Sequence, residues 1–236
     1  MRLIVLTTGS VRRRHFVRAL QCIAPVTRAF IETGKQVPPD DTFHSFERKS
    51  KDYEKSMWFN GRPPPFEDIV ETQYFPCLNN PNALHAIAET RSHMMLVFGT
   101  RKLSQSVIDI CPSGAFNIHT GDPERYRGLD AHLWAIYQGD FDAVSVAMHR
   151  LTAELDGGET LATRRVPINP EMSLFQLRRA STDVAIDLTR QALVEYQTTG
   201  GWHTRHQKSI GHYYSFMSSE SKEICVQRFA QHTARL

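Results

Sequence analysis

Two continuous apolar runs, at residues 3–6 and 93–98, are the clearest strand signals in the sequence. Unbroken apolar strands are typical of a parallel sheet that helices cover on both faces. The first run is followed by a glycine turn at residues 7–10 and then by apolar residues at helical spacing, namely Phe16, Leu20 and Ile23. Strand, glycine turn and helix in this order predict the start of a doubly wound α/β fold.

The later part of the chain continues this alternation of strands and helices. Asn80-Pro81 is typical of a helix start, residues 143–149 alternate as a strand does, and residues 159–168 predict a further strand. Ser173 predicts the cap of a long helix whose inner face would contain Leu174, Leu177, Val184, Leu188 and Ala192. We therefore predict an α/β protein with a mostly parallel, twisted sheet flanked by helices.

A strongly charged stretch at residues 43–59 interrupts this pattern. It predicts a helix that ends before the proline run at residues 63–65 and that carries Phe46, Tyr53, Met57 and Trp58. Two interpretations stay open for it, an aromatic stripe packed on the core or a wall of a binding pocket.

Composition narrows the class of protein. With 236 residues, 41% of them hydrophobic, we expect one compact domain at residues 1–200 and a C-terminal extension at residues 201–236. The extension is expected to pack as a hairpin on that domain or on a partner subunit, and a homodimer is left open.

A net charge of +3 singles out neither nucleic acid nor a membrane surface as a binding partner. Scattered cysteines without a CxxC pair, and no signal peptide or apolar span, predict a cytoplasmic protein without a zinc site.

Candidate chemistry lies at Asn117-Ile118-His119, the end of a short apolar strand. Alternate strand residues share a face, so the amide and the imidazole point the same way. An amide N–H can donate to a developing oxyanion, and an imidazole can transfer a proton near neutral pH. Asp156, on the tight turn at residues 155–158, supplies a carboxylate that would orient the imidazole. Together these residue types predict an acyl-transfer site.

The order of three motifs is more specific than any one of them. Asn117-Ile118-His119 precedes Pro123-Glu124-Arg125-Tyr126-Arg127-Gly128 and then Leu155-Asp156-Gly157-Gly158. Over residues 93–168 the chain resembles the folate-dependent formyltransferase family, whose pattern is Asn-x-His, Pro-x-Tyr-Arg-Gly and Asp-x-Gly. Thr120-Gly121 looks most like the sugar N-formyltransferases of that family. The resemblance implies a Rossmann-like formyltransferase fold.

The resemblance also implies an activity, the transfer of a formyl group from N10-formyltetrahydrofolate to a primary amine. Asn117 would stabilise the oxyanion, His119 would relay the proton and Asp156 would hold the tautomer of His119, so no metal is expected. The end of the strand at residues 93–98 and the loop before Asp156 would border the folate, through Phe98, Gly99, Thr100, Ala153, Glu154 and Leu155.

The acceptor is expected to be an amino sugar linked to a nucleoside diphosphate. The Gly9 turn would aim backbone N–H groups at an anion, close to Arg12, Arg13 and Arg14, although a purely structural turn is an equal alternative. Further acceptor contacts would come from Arg125, Tyr126 and Arg127, which alternatively only brace their loop.

Other functions stay open as alternatives. Methionyl-tRNA is not expected as the acceptor, because the RNA-binding domain of that enzyme would find no room after residue 170. A glycinamide ribonucleotide-type or other small-amine formyltransferase is the nearest alternative. A catalytically silent folate- or nucleotide-binding protein and a basic RNA-binding module belong to other classes. His203, His206 and His212 lack metal-ligand spacing.

Overall fold

A seven-stranded sheet lies at the centre of the computed structural model, which describes residues 1–34, 36–38 and 41–236. In chain order the strands are β1 (Leu3–Thr8), β2 (Val26–Glu32), β3 (Thr72–Phe75), β4 (Met94–Phe98), β5 (Ala115–His119), β6 (Tyr126–Gly128), β7 (Ser145–Arg150), β8 (Thr160–Arg165) and β9 (His212–Tyr214). β6 pairs with β9, and the other strands form the sheet in the order β3-β2-β1-β4-β5-β7-β8.

The strand directions confirm the predicted mostly parallel sheet. β3, β2, β1, β4 and β5 are parallel neighbours, whereas β7 is antiparallel to both β5 and β8. The strand order reverses between β1 and β4, and ligands of open α/β sheets bind at such a point, beyond the carboxyl ends of the strands. Gly9 and Gly99, the residues that directly follow β1 and β4, therefore lie where a ligand is expected.

The helices of the described residues are α1 (Val11–Gln21), α2 (Ser45–Phe59), α3 (Pro81–Glu89), α4 (Gln105–Ile108), α5 (Ala131–Tyr137), α6 (Leu177–Thr199) and α7 (Ser219–Thr233). As predicted, Asn80 caps α3 by accepting a hydrogen bond from the backbone N–H of Ala83. Ser173 and Gln176 form a capping box before α6, and all five side chains predicted for its inner face are buried. None of these helices is both long and apolar enough to cross a membrane.

Each face of the sheet has its own apolar core, because successive strand residues point to opposite faces. Leu3 and Val5 of β1 belong to the core beneath α1 and α6, whereas Ile4 and Leu6 belong to the core beneath α3 and α4. Burial on both faces is the reason that β1 and β4 are continuous apolar runs in the sequence.

Two strands of the seven-stranded sheet, β2 and β3, were not predicted from the sequence, and neither were the short strands β6 and β9 outside it. β2 includes Thr27 and Arg28, and the Arg28 side chain pairs with Glu71 at the protein surface. β3 is a four-residue edge strand in which Tyr74 is exposed. Neither β2 nor β3 has a strong apolar period of its own, so strand pairing decides their conformation, β2 with β1 and β3 with β2.

The prediction of a C-terminal hairpin was wrong. β9 pairs in parallel with β6, and hairpin strands are antiparallel. α7 packs against α5, where Cys225 Sγ donates to the carbonyl of Leu133 over 3.2 Å and Phe229 is fully buried. The division of the chain at residue 200 stays a prediction.

Candidate functional site

Asp156 is the point at which the predicted catalytic side chains meet. Its buried carboxylate accepts hydrogen bonds from Asn117 Nδ2 at 3.1 Å and from the backbone N–H of Gly128 at 2.9 Å. His119 Nδ1 lies 3.5 Å and His149 Nε2 lies 3.3 Å from the same Oδ1 atom. The structure thus brings Asn117, His119 and Asp156 together and adds a second histidine to them.

The turn that carries Asp156 is held from two sides. Asp156 has a left-handed backbone, with φ 52°, which an L-residue adopts only when its surroundings enforce it. Arg127 Nε donates to the carbonyl of Leu155 at 2.8 Å. Gln207 Nε2 donates to the carbonyls of Asp156, at 2.7 Å, and Gly158, at 2.8 Å. These contacts fix the carboxylate in place without occupying its oxygens.

The electrostatics around Asp156 keep its carboxylate ionised. Burial opposes ionisation, but the charge of His119, the hydrogen bond and charge of His149 and the Gly128 N–H outweigh it and hold the pKa of Asp156 well below its usual range. An ionised carboxylate in this position can accept a hydrogen bond from either neighbouring imidazole.

Both ring nitrogens of His119 face acceptors. Nε2 lies 2.9 Å from the carbonyl of Tyr126, and Nδ1 faces the Asp156 carboxylate. A carbonyl and a carboxylate only accept hydrogen bonds, so an imidazole nitrogen that contacts either of them does so as an N–H donor. A proton relay through His119 would require the ring to exchange one of these two contacts for the substrate.

The side-chain amide of Asn117 contacts two other residues of the site. Its Nδ2 donates to Asp156 and also lies 3.2 Å from His149 Nε2. An amide NH2 group has two hydrogens: one is donated to Asp156, and His149 Nε2 can accept the other only when it does not itself donate to Asp156. Donation to an oxyanion, the role predicted from the sequence, would require Asn117 to exchange its contact with His149.

His149 is the site residue that the sequence interpretation missed. It lies directly opposite Asn117 in the antiparallel pair of β5 and β7, so the two side chains share a face. It is buried, and its Nδ1 lies 2.9 Å from the carbonyl of Arg150. The available signal was a polar residue at the end of an apolar strand, out of phase with Val144, Val146 and Met148.

These groups open into a cavity of about 980 Å³ beyond the carboxyl ends of β1, β4 and β5. Five of the six residues predicted to contact folate line this cavity, namely Phe98, Gly99, Thr100, Glu154 and Leu155. Gly9 lines it as well, whereas the sixth residue, Ala153, is exposed and is not part of the wall.

Gly99 lies at a position that excludes a side chain. Its φ is +78°, and a Cβ there would stand 1.9 Å from Arg13 Nη2. We expect Gly99→Ala to lower the free energy of unfolding by about 1–3 kcal/mol, because the backbone is strained and Arg13 must move. Gly9→Ala is the matched control, since a Cβ at Gly9 meets nothing within 4 Å. Urea denaturation measures both, and equal midpoints would contradict the expectation.

The first turn of α2 both packs on the core and forms part of the pocket wall, the two possibilities left open for the charged stretch. Phe46 is buried in the core and also lines the cavity, beside Glu47. Further along α2, Trp58 stacks on His15 with ring centroids 4.3 Å apart. The start of α2 is therefore a pocket wall, and the rest of the helix packs on the protein.

Arg125, Tyr126 and Arg127 lie apart from the cavity wall in the described part of the chain. Arg125 forms an ion pair with Asp140, and burial followed by the charge of Asp140 raises the pKa of Tyr126 to about 12. Arg127 pairs with Glu154 at 3.0 Å. These contacts brace the two loops around the site, and direct contact with an acceptor stays a prediction.

His132 lines the cavity and makes stability depend on pH. Burial lowers its pKa from 6.5 to about 4, against the effect of its hydrogen bond to the Ser145 carbonyl. Between those pH values His132 is protonated in the unfolded chain and neutral in the folded protein. The stability that is fully present above pH 6.5 is therefore lost as the pH falls toward 4. We expect a loss of up to about 2 kcal/mol between pH 7 and pH 5.

His132→Gln should remove most of this slope, because glutamine does not titrate. Urea denaturation at the two pH values measures it, and His85→Gln on the exposed face of α3 is the control that should keep the wild-type slope. An unchanged slope in His132→Gln would show that another group carries the pH dependence.

Within the part of the chain that the structure describes, no cluster of three or more His, Cys, Asp or Glu side chains is arranged to hold a metal ion. The site presents an amide, two imidazoles and a carboxylate to the cavity.

Comparison with known proteins identifies the family. A family model for formyl transferases matches residues 49–193, more than half of the chain. A methionyl-tRNA formyltransferase of Geobacter sulfurreducens is 27% identical over 187 residues, which are 73% of this chain and 56% of that enzyme. The chain thus spans little more than half the length of this curated relative.

Solved structures share the fold at low sequence identity. A 4-N formyltransferase from Francisella tularensis superposes with a TM-score of 0.62 at 13% identity, over 97% of this chain and 87% of that one. The N-formyltransferase of Helicobacter canadensis, determined with folinic acid and dTDP-3-aminofucose, gives a TM-score of 0.62 at 12% identity, over 91% and 71% of the two chains. Likeness at this identity concerns the fold alone, and it agrees with the family match: the chain belongs to the formyl transferase family.

Proposed function

We propose that this protein transfers a formyl group from N10-formyltetrahydrofolate to a primary amine. The observation that carries the proposal is the convergence of Asn117, His119 and Asp156 in one cavity of a chain that belongs to the formyl transferase family. An amide donor, a proton-holding imidazole and an ionised carboxylate are the groups that acyl transfer to an amine requires.

In the reaction, the amine nitrogen forms a bond to the formyl carbon, and the bond between that carbon and N10 of the folate breaks. A proton leaves the amine and ends on N10, so the products are a formamide and tetrahydrofolate. Asn117 donates to the oxygen that becomes negative, in exchange for its contact with His149. His119 passes the proton, and Asp156 holds the ring of His119 in the orientation that this transfer needs.

The donor would lie against the loop after β4 and the loop before Asp156. Gly99 lines the cavity, and Leu103, Leu151 and Leu155 add apolar surface to the wall. Backbone edges and flat apolar surface suit a heteroaromatic ring with amide-like hydrogen-bonding groups. The family relative from Helicobacter canadensis was determined with folinic acid, which supports a folate as the donor.

For the acceptor we propose an amino sugar linked to a nucleoside diphosphate. The dTDP-3-aminofucose complex and the 4-N formyltransferase among the structural relatives support this choice. The curated relative by sequence, a methionyl-tRNA formyltransferase, favours methionyl-tRNA as the second candidate. Glycinamide ribonucleotide or another small amine would use the same chemistry, and a silent folate- or nucleotide-binding protein would bind without turnover.

The test is a panel of acceptors incubated with N10-formyltetrahydrofolate, with the product mass as the readout. The panel contains dTDP-, UDP- and GDP-linked 3-amino and 4-amino sugars, glycinamide ribonucleotide and methionyl-tRNA. Formylation of a nucleotide-linked amino sugar supports the whole proposal. Formylation of another member alone leaves the chemistry in place and refutes the acceptor. If the protein binds folate but transfers the formyl group to none of these acceptors, the proposal that it is a formyltransferase is refuted.

A further inference from the structure

Arg12 is a buried cation without a hydrogen-bonding partner for most of its guanidinium group. Its side chain is 6% exposed and lines the cavity, yet Nε and Nη2 meet no acceptor in the described part of the chain. Ser10 Oγ, two residues earlier on the same wall, is also buried and unpaired. Buried donors are almost always satisfied, so this end of the cavity is built for a group that accepts hydrogen bonds.

Two further arginines line the same end of the cavity. The guanidinium carbons of Arg12 and Arg13 lie 4.8 Å and 4.4 Å from the centre of one ring, that of Phe98, and Arg13 Nε donates to the Phe98 carbonyl over 3.3 Å. Arg178 comes from α6 and pairs with Glu54 through hydrogen bonds of 2.9 Å and 2.8 Å. One carboxylate therefore stands beside three guanidinium groups.

Other acids on the cavity wall are engaged elsewhere. Glu32 accepts hydrogen bonds from Arg101, and Glu47 pairs with Lys222 at 3.2 Å. Burial, followed by the charge of Arg178, lowers the pKa of Arg13 to about 9, and burial together with Arg13 and Arg178 lowers the pKa of Arg12 as well. A guanidinium stays protonated in proteins, so Arg12 and Arg13 are buried cations next to other cations, with Glu54 as the compensating carboxylate.

The start of α1 adds to the positive potential. α1 has eleven residues, and its N-cap Ser10 makes no side-chain hydrogen bond to the first turn. The free backbone N–H groups and the helix dipole favour an anion there. Gly9 leaves room in front of them, because a Cβ at that position would meet nothing within 4 Å.

We propose that Arg12, Arg13 and Arg178, with Ser10 and the start of α1, bind a doubly negative phosphate or diphosphate group of the amine-bearing acceptor. This inference rests on the proposed function, and it replaces Arg125 and Arg127 as the expected phosphate ligands. The two guanidinium charges that Glu54 does not neutralise match the charge of a dianion. A planar guanidinium group can also donate two parallel hydrogen bonds to two phosphoryl oxygens. A monovalent carboxylate would leave one of those charges unbalanced.

The experiment measures binding of inorganic phosphate and of pyrophosphate to the whole protein by calorimetry, without folate or amine. Wild type is compared with Arg12→Met and with Arg14→Met. Arg14 is the matched control, because it lies on the same helix with its guanidinium over Phe66 and outside the cavity wall. We expect Arg12→Met to weaken binding by about tenfold or more, the effect of one charge-assisted hydrogen-bond pair, and Arg14→Met to change it by less than about twofold.

Thermal unfolding separates binding from a structural role. Without phosphate, Arg12→Met should keep or raise the melting temperature, because it removes an unpaired buried charge. With pyrophosphate, wild type should gain thermal stability and Arg12→Met should lose that gain. If Arg12→Met does not fold, Arg12→Lys carries the test, since it keeps the charge but loses the planar pair of donors and should also bind more weakly.

Preference for pyrophosphate over phosphate would indicate a diphosphate acceptor, and the reverse would indicate a phosphate monoester. No binding of either anion to wild type at millimolar concentration, or equal weakening in Arg12→Met and Arg14→Met, would overturn the proposal. Because the assay contains no formyl donor, formyl transfer without phosphate binding refutes this site alone. Phosphate binding without formyl transfer refutes the proposed function alone.

Discussion

Replacing His119 by alanine is expected to lower turnover by on the order of a hundredfold or more, because a positioned proton relay contributes a factor of about 10² to 10⁴. His119 Nδ1 faces the Asp156 carboxylate at 3.5 Å, and the ring lines the cavity at the end of β5. The fall should appear in kcat, with the KM for the folate little changed, since the interaction is made mainly in the transition state. Steady-state kinetics with the acceptor found in the panel measures both constants.

His132→Gln is the matched control for this prediction, because His132 also lines the cavity but donates to the Ser145 carbonyl and makes no contact with Asp156. Its turnover should stay within a few-fold of wild type. Folding of each variant is checked by circular dichroism and thermal unfolding. A folded His119→Ala protein with near-wild-type kcat would refute the role of His119 in proton transfer.

Replacing Arg178 by methionine is expected to lower the free energy of unfolding by about 2–4 kcal/mol. Arg178 holds Glu54, a fully buried carboxylate on α2, through two hydrogen bonds. Loss of one partner of a buried ion pair costs about 3–5 kcal/mol where the other charge is left uncompensated, and both the partial exposure of Arg178 and the charges of Arg12 and Arg13 near Glu54 reduce the figure. Urea denaturation measures the change.

The double variant Arg178→Met with Glu54→Met should recover part of the lost stability, because the Glu54 carboxylate is then no longer left without its partner. Arg165→Met provides the surface control, since Arg165 and Asp142 pair with both side chains 69% exposed. Such a pair contributes less than about 1 kcal/mol. If Arg178→Met lowered the free energy of unfolding no more than Arg165→Met does, the burial of the Glu54 carboxylate would not depend on Arg178.

His149 changes how the site is understood. The carboxylate of Asp156 faces two imidazoles, and Asn117 lies between Asp156 and His149. His149 is best described as a positioning residue, because it contacts Asn117 and Asp156. We therefore expect a transfer reaction at this site to depend on four side chains from β5, β7 and the turn after β7 rather than on three.

The sequence by itself determined the features that follow from local periodicity. Continuous apolar runs predicted β1 and β4, and the two-residue repeat of a strand placed Asn117 and His119 on one face. Capping patterns predicted the starts of α3 and α6. Each of these features depends on residues a few positions apart, which a single stretch of sequence contains.

Only the tertiary structure decided the features that join distant segments. The register of β7 against β5 set His149 opposite Asn117, and the packing of α1, α2 and α6 brought Arg12 and Arg178 to one end of the cavity. The contact between the loop before β6 and the segment after α5 placed Arg125 on Asp140, away from the cavity wall. The physical reason is that strand register and helix packing depend on pairs far apart in the chain, whose choice is made by burial and charge balance in the assembled fold.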